Sequence, residues 1–186
     1  MFLPGRVVTL NRHSPWRTDQ ALRPDETRAR SPQSRGAVGA RRSRRPLNLR
    51  DTARAMSQEN VEIVRRMWDA LLGDDPVSAL SFYDPDVEWD GTNLPDGKIA
   101  RGHEAIVEHA MKWAEMWDDW KMEPEQFIDA GDDQVVLVFR EIGRSDSGLQ
   151  MDERHAEVYR LRDGKVVFRK GFSDPDEALE AAGLSE

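Results

Sequence analysis

From Glu157 to Phe172 polar and apolar residues alternate in two segments joined by Asp163-Gly164, a pair that accepts the positive φ angles of a tight turn. An antiparallel hairpin is predicted near the C-terminal end. Because strand side chains alternate faces, Glu153, His155, Glu157, Tyr159 and Leu161 fall on one side, polar at one end and apolar at the other. One wall of a ligand pocket would have this pattern. Upstream, Val135-Val136-Leu137-Val138-Phe139 is apolar on both faces, which predicts a central strand covered by helices on one side and by a second subunit on the other.

Helical spacing dominates the earlier part. Val61, Val64, Trp68, Leu71 and Leu72 predict an amphipathic first helix ended by Gly73. Asp75-Pro76 is a cap followed by an N1 proline, so Val77 to Phe82 is expected as a short second helix, closed by Asp84-Pro85. Val87 to Asp90 suits a short strand, and Gly91 to Gly97 suits a loop over one end of the fold. After Gly102, Ile106, Ala110, Trp113 and Trp117 mark a third helix, with Met111 and Ala114 widening its stripe. Three strands are then expected, and Asp174-Pro175-Asp176-Glu177 opens a terminal helix through Ala181, ended by Gly183. Helices on one face of a curved antiparallel sheet make an α+β domain, and such a sheet wrapped around a long helix encloses a cone-shaped cavity.

Composition divides the chain at Met56. Residues 1–55 hold 13 Arg, no Lys and 4 acidic residues, a net of +9, whereas residues 56–186 hold 14 basic and 31 acidic residues, a net of −17. The first part clusters Arg, Pro, Ser and Gly, as in Arg41-Arg42-Ser43-Arg44-Arg45-Pro46, without a sustained apolar period, and is expected to be disordered. Ser57-Gln58-Glu59-Asn60 following Met56 has the cap and acidic first turn of a helix start, so the segment is expected foremost as an upstream extension from a start codon placed too early. A basic arm for nucleic acid and a targeting peptide are the alternatives. The remaining 131 residues suit one domain, residues 56–186, with a single core. With no cysteine, disulfides and thiolate metal sites are excluded, and no segment approaches the roughly 18 apolar residues of a membrane span. The acidic balance disfavours nucleic acid and anionic membranes as partners, and a cytoplasmic protein is expected.

A family resemblance rests on several short motifs: Glu59-Asn60-Val61-Glu62-Ile63-Val64, Phe82-Tyr83-Asp84-Pro85-Asp86-Val87-Glu88-Trp89, Arg101-Gly102-His103-Glu104-Ala105-Ile106, Leu161-Arg162-Asp163-Gly164-Lys165-Val166 and Glu177-Ala178-Leu179-Glu180-Ala181-Ala182-Gly183-Leu184. In this order and spacing, residues 56–186 resemble the nuclear transport factor 2-like (NTF2-like) superfamily, within it the SnoaL-like polyketide cyclase and ketosteroid isomerase branch. The resemblance implies a conical fold, frequent homodimers and a buried pocket, in a superfamily of isomerases, cyclases, dehydratases, epoxide hydrolases and non-catalytic proteins.

Position by position, the resemblance departs from the model enzymes. The oxyanion-binding Tyr of ketosteroid isomerases corresponds to Met67, the proton-transferring Asp to Trp89 with Asp90 one residue on and facing the other way, and the oxyanion Asp falls close to Glu157. Steroid isomerisation by that mechanism is not expected. Arg144-Ser145-Asp146 has the composition of the epoxide-hydrolase constellation but lies in a Gly/Ser-rich turn, where it would be solvated. A SnoaL-like cyclase needs little more than one acid/base carboxylate in an apolar pocket.

The catalytic candidates are therefore Glu157, His155 and Asp90, and the candidate ligand contacts are Trp89, Trp113, Trp117, Tyr159, Met67 and Phe172. Each has a structural alternative. Glu157 could pair with Lys170 or Arg169 across the hairpin, His155 could be a hydrogen-bonded sheet residue, and the tryptophans could be core. His103 and His109, six apart, point from different helix faces, and Asp84, Asp86 and Asp90 lack the glycine and terminal Glu of a calcium loop, so neither a metal nor a cofactor is expected. The expected protein is an NTF2-like homodimer binding a small apolar molecule, an isomerase, cyclase or hydratase using pocket carboxylate chemistry; the alternative is a non-catalytic ligand-binding or dimeric regulatory module.

Overall fold

A computed structural model of the protein describes residues 8–11, 49–73, 75–95 and 97–184; the Arg41–Pro46 cluster lies outside them. The elements run β1 (Val8–Asn11), α1 (Leu49–Leu71), a 3-10 helix (Pro76–Phe82), β2 (Tyr83–Asn93), β3 (Ile99–Arg101), α2 (Gly102–Ala114), β4 (Asp119–Gly131), β5 (Gln134–Arg144), β6 (Gln150–Arg162), β7 (Lys165–Phe172) and α3 (Pro175–Ala181). The strands form one curved, unclosed sheet in the order β1-β4-β5-β6-β7-β2-β3. Neighbours are antiparallel except β2 and β7, which run parallel.

The predicted hairpin is β6–β7. Arg162 pairs with Lys165 across the turn, and Asp163 (φ 52°) and Gly164 (φ 74°) both adopt the left-handed backbone that a two-residue hairpin loop requires. On β5 strict alternation sends Val135, Leu137 and Phe139 inward, where they pack with Val64, Met67 and Trp68 of α1. Val136 and Val138 point outward and join Ala156, Val158 and Phe172 under Ala178, Leu179, Ala182 and Leu184. The chain's own α3 thus covers the outer face, so the two-sided apolar strand does not by itself call for a second subunit. Asp174 caps α3 by accepting the Asp176 N–H at 2.9 Å.

Several elements differ from the sequence expectation. The first helix begins at Leu49, not at Met56, because Asp51 to Ala55 contains no helix breaker, and Ser57 lies within it, its hydroxyl donating to Asp129 instead of capping. Residues 8–11 of the Arg-rich segment, expected to be disordered, form β1 against Asp119 to Met122. Four strands follow α2, not three. The overlooked β4 carries Lys121, Glu123, Pro124 and Glu125, and its pairing with β5 shifts register between Pro124 and Gln126, as a proline in a sheet demands. The expected loop at Gly91 is instead the end of β2, and Ile99 to Arg101 returns beside it as β3. Trp117 lies past the end of α2, with its ring against Gly143, where an added Cβ would sit 2.6 Å from the indole.

Ala178 is fully buried between α3 and the sheet. Ala178→Asp is expected to place an unpaired carboxylate there at a cost of several kcal/mol, seen as a lower urea midpoint together with new binding of a hydrophobic dye to the uncovered outer face; an unchanged midpoint would mean that α3 adds little to the fold.

Candidate functional site

The inner face of the sheet, α1, the 3-10 helix and α2 enclose a cavity of about 180 Å³. Its walls are mostly apolar, from Trp68, Ala79, Ile106, Trp113, Met122 and Phe139, and Leu94 and Pro95 also border it. Leu94 sits on Gly171, where a Cβ would come within 2.6 Å of the leucine side chain, so this position of β7 has to be glycine for the loop to close down. Against this apolar lining, Glu141, Glu153, His155, Glu157 and Arg169 form the polar wall.

Glu157 and Arg169 are the centre of one cluster. In the β6–β7 register Glu157 faces Gly171 and Tyr159 faces Arg169, so the carboxylate reaches diagonally to the guanidinium, Oε1 to Nη2 at 3.1 Å. The Tyr159 hydroxyl donates to Glu157 Oε2 and accepts from the Trp68 indole N–H at 2.8 Å. Arg169 Nη1 donates to the Tyr83 hydroxyl at 3.1 Å, and the guanidinium lies 5.2 Å from the Trp89 ring centre. Burial opposes the charge of Arg169, yet the facing Glu157 carboxylate and the two tyrosines carry its pKa above the ordinary arginine value. Burial, reinforced by Glu157, pushes Tyr159 well above the usual phenol range, and burial also raises Tyr83. Both tyrosines therefore remain hydrogen-bond donors at neutral pH.

Glu141 is the centre of the second cluster. It continues the inward series Val135, Leu137, Phe139 on β5 and is 7% exposed. Trp113 and Trp120 each donate an indole N–H to its Oε1 at 2.7 Å, and its Oε2 lies 3.5 Å from His155 Nε2. Burial pushes its carboxyl above the ordinary range, outweighing the two indoles and His155, which act the other way. His155 is 5% exposed, and neither ring nitrogen has an aligned hydrogen-bond partner among the described residues.

The predicted site residues separate into groups. Glu157, His155, Trp89 and Trp113 line the cavity. Asp90 does not: its neighbour Trp89 points inward, so Asp90 turns to the other face, accepts the Thr92 N–H at 2.9 Å and hydroxyl at 2.6 Å, and pairs with Lys170 at 3.2 Å. The Thr92 hydrogen bonds and Lys170 together overcome its partial desolvation and lower its pKa. Tyr159 and Met67 are buried behind the lining, Trp117 is in the core against Gly143, and Phe172 belongs to the outer cluster under α3. Arg144 and Asp146 are exposed in and beside the β5–β6 turn, away from the cavity. His103 is within 3.1 Å of the Asp84 carbonyl oxygen and His109 packs on Trp89. Glu141 was not among the sequence candidates, although an inward carboxylate two residues beyond Phe139 on an apolar strand was a readable signal.

A curved sheet wrapped around helices with an internal cavity of this kind is the NTF2-like fold. Residues 64–169 match the SnoaL-like domain, and the chain belongs to that family. No curated protein matches it. Among solved structures, an NTF2-like protein from Burkholderia thailandensis E264 is 27% identical with a TM-score of 0.57, covering 68% of this chain and 98% of its own. TerC, crystallised with polyporic acid, is 22% identical with a TM-score of 0.55, covering 67% of this chain and 98% of its own. The Mycobacterium tuberculosis protein Rv0760c, in complex with estradiol-17β-hemisuccinate, is 17% identical with a TM-score of 0.52, covering 62% and 94%.

Two outcomes are expected for this wall. Glu157→Gln leaves the partly buried Arg169 without its counter-charge and should cost about 3 kcal/mol in chemical denaturation, much of it recovered when Arg169→Met is added. Because the Glu141 pKa is raised in the folded state, its contribution to stability is fully present below the ordinary Glu value of 4.5 and is lost as pH rises through the folded value. Glu141→Gln should therefore gain stability relative to the wild type as pH rises from 4.5 toward neutrality; a difference independent of pH would show that burial does not hold the proton.

Proposed function

We propose that this protein binds a small, mostly apolar organic molecule in its cavity and moves a proton on it, as an isomerase, cyclase or hydratase does. The observation that carries the proposal is the Glu141 carboxyl, pushed up by burial and set beside His155 in a mostly apolar cavity. A carboxylic acid that keeps its proton closer to neutral pH is a more useful proton donor, and its conjugate base a stronger acceptor, than an exposed carboxylate. Glu157 contributes an oriented carboxylate to the same wall, with both oxygens engaged by Arg169 and Tyr159. The small-molecule ligands of TerC and Rv0760c support a cavity ligand of that kind. The proposed working form is a cytoplasmic homodimer, isologous pairing being the commonest assembly; sedimentation of the full chain measures its size.

A non-catalytic binding module is the second possibility, favoured by the engagement of Glu157 and by the outward position of Asp90. Deuterium exchange separates the two. With 2-tetralone in D2O, the protein is expected to accelerate exchange of the protons next to the carbonyl, and Glu141→Gln to reduce that acceleration by about 10²-fold or more. Saturable binding of the ketone without any acceleration would favour the binding module.

A further inference from the structure

We propose that His155 is the docking point for a hydroxyl group on the cavity ligand, with Glu141 as the residue that positions its ring. The proposal rests on the ligand-binding function above and narrows the ligand to a cyclic alcohol, phenol or enol. His155 borders the cavity and is almost fully buried, yet neither ring nitrogen is hydrogen-bonded within the described protein. A buried polar nitrogen left in that condition is destabilising, and a ligand can relieve it. The orientation of the ring is set from behind. The Trp113 and Trp120 indoles both hold Glu141 Oε1, and the nearest carboxylate oxygens, Glu141 Oε2 at 3.5 Å and Glu153 Oε2 at 3.9 Å, approach His155 at Nε2, which leaves Nδ1 as the nitrogen farther from them.

A hydroxyl suits Nδ1 because it can donate or accept, and so satisfies either imidazole tautomer. In the same cavity Trp68, Trp113 and Phe139 offer flat apolar surfaces for a ring system, and Met151 adds an apolar side chain. One oxygen function on a compact apolar ring body is the ligand that this combination recognises. An enol formed by proton transfer in the same cavity is one member of that class.

Two ligands of nearly equal shape, 2-naphthol and 2-methylnaphthalene, test the proposal on the full-length protein. The ratio of their affinities, measured by equilibrium dialysis, is expected to fall about tenfold from wild type to His155→Leu, with 2-methylnaphthalene binding retained. Glu141→Gln should lower the same ratio, weakening 2-naphthol more than 2-methylnaphthalene, whereas a purely structural role for Glu141 would weaken both ligands in proportion and leave the ratio unchanged. In the wild type, the nitrogen resonance of His155 Nδ1 should move on adding 2-naphthol and not on adding 2-methylnaphthalene, which needs no variant to fold. An unchanged ratio in His155→Leu, or a resonance indifferent to 2-naphthol, would overturn the docking role while leaving the cavity intact. Failure of the wild type to bind either compound would overturn both this proposal and the apolar-ligand function beneath it.

Discussion

A guanidinium largely removed from water can persist only with a counter-charge and with hydrogen-bond acceptors, and the placement of Arg169 organises much of the inner wall around that requirement. Glu157 supplies the charge from β6, Tyr83 accepts from the start of β2, and Trp89 lies under the cation. Tyr159 then ties Glu157 to Trp68 of α1. The first helix and strands β2, β6 and β7 thus share one polar network. A one-residue slip in the β6–β7 pairing would move Glu157 and Tyr159 to opposite partners and break it.

Glu141 meets burial by a different route. Among the described residues, no lysine or arginine pairs with it within 4 Å; it receives two indole donors and the edge of a histidine instead. Uncharged donors stabilise a carboxylate less than a cation does, so desolvation prevails and the proton is held more tightly. Two glutamates on one wall of one cavity therefore have different characters, one part of an ion pair and the other holding its proton more tightly through burial. This separation comes from the partners that neighbouring strands and α2 bring to each, since the two side chains are chemically identical.

The outer face shows how local sequence and global assembly can be confused. Val136 and Val138 make β5 apolar on both sides, and a strand of that kind must be covered twice. Here the second cover is α3, whose cap Asp174 and proline were plain in the sequence but whose docking place was not. Helix starts follow local chemistry, whereas the surface a short helix packs on depends on where the preceding strand ends.

By itself the sequence determined the β6–β7 hairpin, the inward set His155, Glu157 and Tyr159, the amphipathic α1 and the capped α3, because each rests on alternation, helical spacing or turn chemistry within a few residues. It also carried enough short motifs to indicate the α+β cone. What it could not determine lay in pairings between distant segments. Strand β4 was hidden by its charges and proline, β1 by the surrounding arginines, and the parallel contact of β2 with β7 had no local signature. Which carboxylate remains a candidate acid was likewise decided by tertiary structure: Arg169 reached Glu157, whereas two indoles and His155 reached Glu141, and a pKa depends on the groups that fold around a residue, not on its neighbours along the chain.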